Sequence, residues 1–279
     1  MSFTSNDVKN LRQKTGCGIM DCKEALKFSD GNLEEAIVYL RKKGLASAKK
    51  RQSRATLEGL TFALSKENAG VIIEVNCETD FVATNKEFKD FVIMCAETII
   101  DNNPKNIDEL LLCKTSSGEI IDEVLKNKIM ITGENIQINR FELLHGATQG
   151  YIHLDGKIAV LVSFLPKKNE CCDECNEIVK NVAMHVAATD PLFLDKDSIP
   201  TETIESEKNI VKEQLSNSNK PRQILDKIIE GRLSKFYKDV CLLEQPYVKD
   251  ASITVREYLD KNLKIEIKKF VRYARGKSN

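Results

Sequence analysis

Val71-Ile72-Ile73-Glu74-Val75-Asn76-Cys77-Glu78-Thr79-Asp80-Phe81-Val82-Ala83 runs from an apolar strand into the start of a helix. The run Val71–Val75 reads as the strand, and Asn85-Lys86-Glu87-Phe88-Lys89-Asp90-Phe91-Val92 opens the helix. The helix carries Phe88, Phe91, Val92, Cys95 and Ile99 on one face. A strand-to-helix junction on a rigid frame presents side chains outward. The pattern also allows a purely structural role. Thr79 or Asp80 can cap the helix by accepting from its orphan N–H groups, and Phe81, seven residues before Phe88, can extend the same core face.

Working outward, Leu57–Leu64 is predicted to pair with Val71–Val75 across a turn at Ser65–Gly70. Helical segments follow at Ile107–Leu112 and Ile120–Lys128, then an alternating strand at Glu134–Phe141. The second half repeats this plan. Tyr151–Leu154, a turn at Asp155-Gly156 and Lys157–Phe164 form a hairpin, a helix covers about Cys172 to Ala188, and Lys264–Val271 returns as the last strand. Between them lies a helical hairpin with Ile204, Val211 and Leu215 on one arm, a loop at Ser216–Asn219, and Ile224, Leu225 and Ile228 on the other, before Glu230-Gly231-Arg232. Pro221 suits the first turn of the second arm. So thin an apolar stripe leans on something else, such as a second copy of the chain.

Residues 4–43 read as three short helices. Thr15-Gly16-Cys17-Gly18 and Asp30-Gly31-Asn32 are the turns. Cys22, Ala25 and Leu26, then Leu33, Ala36, Ile37 and Leu40, supply the apolar faces. Gly44 is expected just past the third helix as a left-handed cap. The fold class is therefore α+β: an N-terminal three-helix bundle, then two similar α+β subdomains with antiparallel sheets and a helical hairpin insertion. The expected divisions are residues 1–54 for the bundle and a basic linker, 55–140 for the first subdomain, and 141–279 for the second, with the insertion at about 190–230.

An apolar content of 42% with 30% charge suits a globular chain. No apolar run approaches membrane-spanning length, and the first residues lack the basic start and apolar stretch of an export signal. Nine irregularly spaced cysteines then suggest reduced thiols in a cytoplasm. Residues 1–54 hold 12 Lys and Arg against 6 Asp and Glu, so a basic head sits on an acidic body and suits a charge-steered protein contact. Seven basic residues lie between Arg41 and Arg54, with no aromatic among Lys42–Arg54 to stack on bases, so no direct nucleic-acid contact is expected.

Cys172 and Cys175 make a C-x-x-C pair beside Cys171 in a strand-to-helix setting, the layout of a thiol oxidoreductase. Asp173 and Glu174 oppose a thiolate there. A zinc site with His185 fails on reach, because the ten residues from Cys175 span about 15 Å of helix. No phosphate-binding G-x-x-x-x-G-K-[ST] loop occurs, and no cofactor is expected.

The strand followed by Thr79-Asp80-Phe81-Val82-Ala83 resembles the signature of the elongation factor Ts family. Met184-His185-Val186-Ala187-Ala188, Lys220-Pro221 through Glu230-Gly231-Arg232, and Gln245-Pro246-Tyr247-Val248 resemble further parts of it, so the likeness spans essentially the whole chain. The bundle resembles a ubiquitin-associated-like domain through Cys22-Lys23-Glu24-Ala25-Leu26 and Gly31-Asn32-Leu33-Glu34-Glu35-Ala36-Ile37. It also resembles the start of the same family, with Ile19 and Met20 where two methionines are usual.

The resemblance implies a guanine nucleotide exchange factor for elongation factor Tu that acts in the cytoplasm during translation elongation and is not an enzyme. It implies that Thr79, Asp80, Phe81 and Val82 disturb the partner's Mg2+ region, and that Arg12, Ile19, Met20 and Lys23 contact the GTPase domain. A homodimer or 2:2 complex through the helical hairpin fits the thin stripe. The rival classes are a ubiquitin-associated-like adaptor and a C-x-x-C thiol oxidoreductase.

Overall fold

The structure, a computed structural model, describes residues 3–166, 173–215, 221–262 and 265–277. Cys171, Cys172, Lys220, Lys264 and the expected loop at Ser216–Asn219 lie outside the described residues.

The chain opens with α1 (Ser5–Thr15), whose Thr4 cap and Asp7 satisfy each other's backbone N–H in a capping box. Gly16, at φ +69°, ends it. α2 (Ile19–Phe28) and α3 (Leu33–Arg51) complete the bundle. Leu11, Cys17, Cys22, Ala25, Leu26, Ala36 and Leu40 form its buried core. Each of its leucines contributes about 1.5–3 kcal/mol by leaving water.

The third helix does not stop at Gly44. It continues to Arg51, across most of the stretch expected as a basic linker, and Gly44 is buried mid-helix. Close approach explains this glycine: a Cβ there would lie 2.7 Å from the Met130 sulfur on α7 (Ile121–Thr132).

In the core, β1 (Glu58–Lys66) and β2 (Ala69–Cys77) pair through Lys66 and Ala69. The turn is therefore only Glu67-Asn68, shorter than expected. Gly70 belongs to the strand and not to the turn, and a Cβ on it would collide with the Thr148 hydroxyl of the neighbouring sheet. After α4 (Asp80–Thr84), α5 (Lys86–Asn102), α6 (Ile107–Leu112) and α7, the chain returns as β3 (Gln137–His145) beside β2. This strand starts three residues later than the alternation suggests, which leaves Glu134 and Asn135 in a loop.

The second half has the same plan. β4 (Thr148–His153) and β5 (Ile158–Leu165) form a hairpin around a 3-10 turn at Leu154–Gly156. α8 (Asp173–Thr189) follows, and β8 (Glu266–Ala274) closes beside β5. The sheet orders are β1-β2-β3 and β4-β5-β8, antiparallel throughout. α5 packs on the first sheet and α8 on the second. The remaining faces meet through Ala63, Ile72, Ala159, Leu161, Val271 and Tyr273.

The insertion consists of α9 (Thr201–Leu215) and α10 (Arg222–Val240). Pro221 is the N-cap, one position before the expected first turn. The second arm passes through Gly231 and Arg232 and runs well beyond residue 230, because Leu233, Phe236 and Tyr237 prolong its partly buried face. The ribbon of β6 (Pro246–Tyr247) and β7 (Asp250–Thr254), then α11 (Val255–Lys261), lead back to β8. Among the described residues no helix is long and apolar enough to cross a membrane.

Candidate functional site

The junction after β2 turns within two residues, Glu78 and Thr79. Thr79 is extended, and its hydroxyl oxygen accepts from Val82 N at 3.4 Å to cap α4. Ala83 is buried and Val82 packs against the core of the first sheet. At about 100° per residue, inward-facing Ala83 turns Phe81 to the opposite side. Phe81 is 83% exposed and therefore does not extend the core face of α5. Asp80 beside it is exposed. Asn85 ends α4 and caps α5 by accepting from Glu87 N at 2.8 Å. Of the four expected residues, Asp80 and Phe81 face water, while Thr79 and Val82 hold the turn.

Residues not singled out from the sequence brace this turn. Glu134 accepts from Glu78 N at 3.2 Å, from Thr79 N at 3.0 Å and from the Thr79 hydroxyl at 2.6 Å. Glu78 reciprocates, its carboxylate accepting from Asn135 N at 2.7 Å. Buried Asn135 donates to the Arg54 carbonyl at 2.9 Å, which draws the end of the bundle into the same cluster. The only local signal in the sequence is a polar pair ahead of a strand; the partners are 55 to 57 positions away.

On the bundle, Met20 is 74% and Ile19 54% exposed, so neither is core. Arg12 and Lys23 are also exposed. Cys22, Ala25 and Leu26 take the inward face of α2 instead. Lys43 bridges Asp21 at 2.9 Å and Glu24 at 2.7 Å, joining α3 to α2, and these bonds raise the lysine's pKa. The bundle set lies on α1 and α2 and the junction set around α4, separate elements with α7 between them. A Cβ on Gly16 would lie 3.2 Å from Ile131 of α7, the Cys17 sulfur is 3.9 Å from that of Met130, and Glu134 follows the end of α7.

Of the other chemistry considered, His185 has a structural explanation. His185 is buried, with Nε2 2.9 Å from Gln245 Oε1 and Nδ1 accepting from Val248 N at 3.1 Å. Both ring nitrogens are occupied, and burial pushes the pKa down despite the Gln245 bond. Cys175 is buried. Burial raises the Cys77 thiol to about 12 and the Cys241 thiol to about 11, values that disfavour a reactive thiolate.

A braced turn with an exposed ring, and a bundle with an exposed apolar pair, are features of an α+β factor that docks on another protein. The family model for Elongation factor TS matches residues 78–277. Elongation factor Ts of Trichlorobacter lovleyi is 41% identical over 290 aligned residues, covering 99% of this chain and 93% of that protein. The Halothermothrix orenii protein of the same name is 40% identical with coverage of 99% and 93%, and that of Clostridium novyi 42% with 98% and 92%. The chain belongs to the elongation factor Ts family, and so among the factors of translation elongation.

Proposed function

We propose that this chain binds elongation factor Tu in its GDP form and accelerates GDP release by disturbing the Mg2+ site. The observation that carries this is Phe81, an aromatic ring held 83% exposed on a turn with its own cap and brace. Family membership supports the choice of partner. Phe81 enters between elements of the GTPase that must stay packed for the Mg2+ site to hold, while Asp80 competes for polar contacts there. With Mg2+ loosened, the phosphates of GDP lose charge neutralisation and the nucleotide leaves. No covalent bond is made or broken. Linkage sets the size of the effect: a factor that binds the nucleotide-free GTPase more tightly than the GDP form weakens GDP by the same ratio. Exposed Ile19 and Met20, with Arg12 and Lys23 around them, supply a second contact that holds the partner while the ring acts.

The test is release of fluorescent GDP from elongation factor Tu at fixed Mg2+ and excess unlabelled GDP, with this protein substoichiometric. Turnover of many GDP molecules per copy is expected. Release at the spontaneous rate, with the GTPase shown to be active, would reject the function.

A further inference from the structure

We propose that Glu134 is the positioning residue for Phe81, an assignment that rests on the exchange function proposed above. α4 has only five residues, too few to hold a direction by its own hydrogen bonds. Core contacts of Val82 and Ala83 set which face turns inward, and the remaining freedom is fixed where the N-terminus is anchored, by one carboxylate. Glu134 takes both backbone N–H groups leading into the helix, those of Glu78 and Thr79. It also accepts a hydrogen bond from the Thr79 hydroxyl at 2.6 Å. That last bond fixes the hydroxyl rotor: with its hydrogen on Glu134, the oxygen turns a lone pair to Val82 N–H and caps the helix. Glu134 thus acts on Phe81 through Thr79.

The anchor is itself fixed. Gly133, at φ +75°, closes α7 with its N–H on the Ile129 carbonyl at 3.0 Å. The same carbonyl accepts from Arg51 of α3 at 3.4 Å, and Asn135 holds the carbonyl of Arg54. The loop carrying Glu134 is therefore held against the end of the bundle on one side and the junction on the other. A ring that must enter a partner in one direction depends on such preorganisation, because orientational averaging dilutes the contact.

The experiment combines two readouts on the full chain. Amide hydrogen exchange of Val82 and Ala83 reports the α4 turn in the free protein, with α5 amides as the folding control. Fluorescent GDP release reports the consequence. In Glu134→Ala, the Val82 and Ala83 amides should lose protection while α5 keeps it. The maximal release rate should fall about tenfold, since misplacing an acting group costs rate. The half-saturating concentration should move less than about threefold, because the bundle contact is untouched. Adding Glu134→Ala to Phe81→Ala should cost nothing further. Glu134→Gln, which keeps one acceptor oxygen but sets an NH2 where the other accepted, should recover only part of the rate. If Glu134→Ala does not fold, Thr79→Val deletes the linking hydroxyl at constant volume and should show the same losses. Unchanged Val82 and Ala83 protection, or a rate loss that multiplies with that of Phe81→Ala, would overturn the assignment. A wild-type protein without exchange activity would instead reject the proposed function, while the amide readout would still decide what Glu134 holds.

Discussion

Phe81 and Thr79 are two residues apart with opposite duties, and burial separates them. The ring makes little of the core, so Phe81→Ala should leave unfolding free energy within about 0.5 kcal/mol of wild type. The same change should lower GDP release at least tenfold, on the order of an interface hot spot. Circular dichroism and the fluorescent-GDP assay together check this, and an unchanged release rate would remove the wedge. His185 works in the opposite sense, as a buried neutral ring with both nitrogens bonded. Its folded pKa lies below the ordinary 6.5, so the unfolded chain takes up the proton first. The stability it supplies is present above that value and is lost as pH falls below about 6.5. Urea unfolding from pH 8 to pH 5 should show a decline that His185→Gln shares less, whereas equal slopes would mean other groups govern the acid limb.

At the scale of elements, α7 is the joint. It receives α3 along one side, and the loop after its end braces the turn before α4. The approach of α3 depends on Gly44, where any Cβ would press on Met130. Gly44→Leu should cost about 1–3 kcal/mol by overpacking and should expose the 44–54 segment to limited proteolysis. Pairing it with Met130→Ala should return part of the loss, because the removed side chain is the one obstructed. A Gly44→Leu protein as stable as wild type would show that the helix has room to shift. Much of the element plan was legible beforehand. Glycines near Gly16 and Gly31 marked real turns, but the same residue type at Gly44 marked a crossing. Sequence gives a glycine's permissiveness and does not say whether the chain uses it for a turn or for close approach.

At the scale of the molecule, two three-stranded sheets share an apolar interface, and an ion pair within the first sheet reaches the end of the second. Glu74, fully buried on β2, pairs with Arg140 of β3 at 2.8 Å and accepts from Gly276 N at 2.9 Å. Arg140 in turn lies 4.1 Å from the Tyr273 ring centre on β8 and donates to the Lys277 carbonyl at 2.7 Å. Arg140→Met should destabilise the protein by about 3–5 kcal/mol, because fully buried Glu74 loses its ion-pair partner. The double change Glu74→Met with Arg140→Met should be milder than Arg140→Met alone. Urea unfolding checks both, and a single variant no worse than the double one would mean Glu74 finds another counter-charge.

Periodicity and composition specified the bundle helices, the long helix of each half, the helical hairpin, the two β-hairpins, their repetition and the strand-to-helix junction, since these depend on neighbours a few residues apart. The family signature made Phe81 the candidate side chain. Only the tertiary structure decided that Phe81 faces water, that Thr79 is the cap, that α3 runs on through Gly44, and that Glu134 and Glu78 clasp each other's segments. Those outcomes hang on contacts between residues as much as 86 positions apart (Gly44 with Met130) or 55 apart (Thr79 with Glu134). Local preference cannot encode such pairs; they exist only once the packed sheets and α7 bring the segments together.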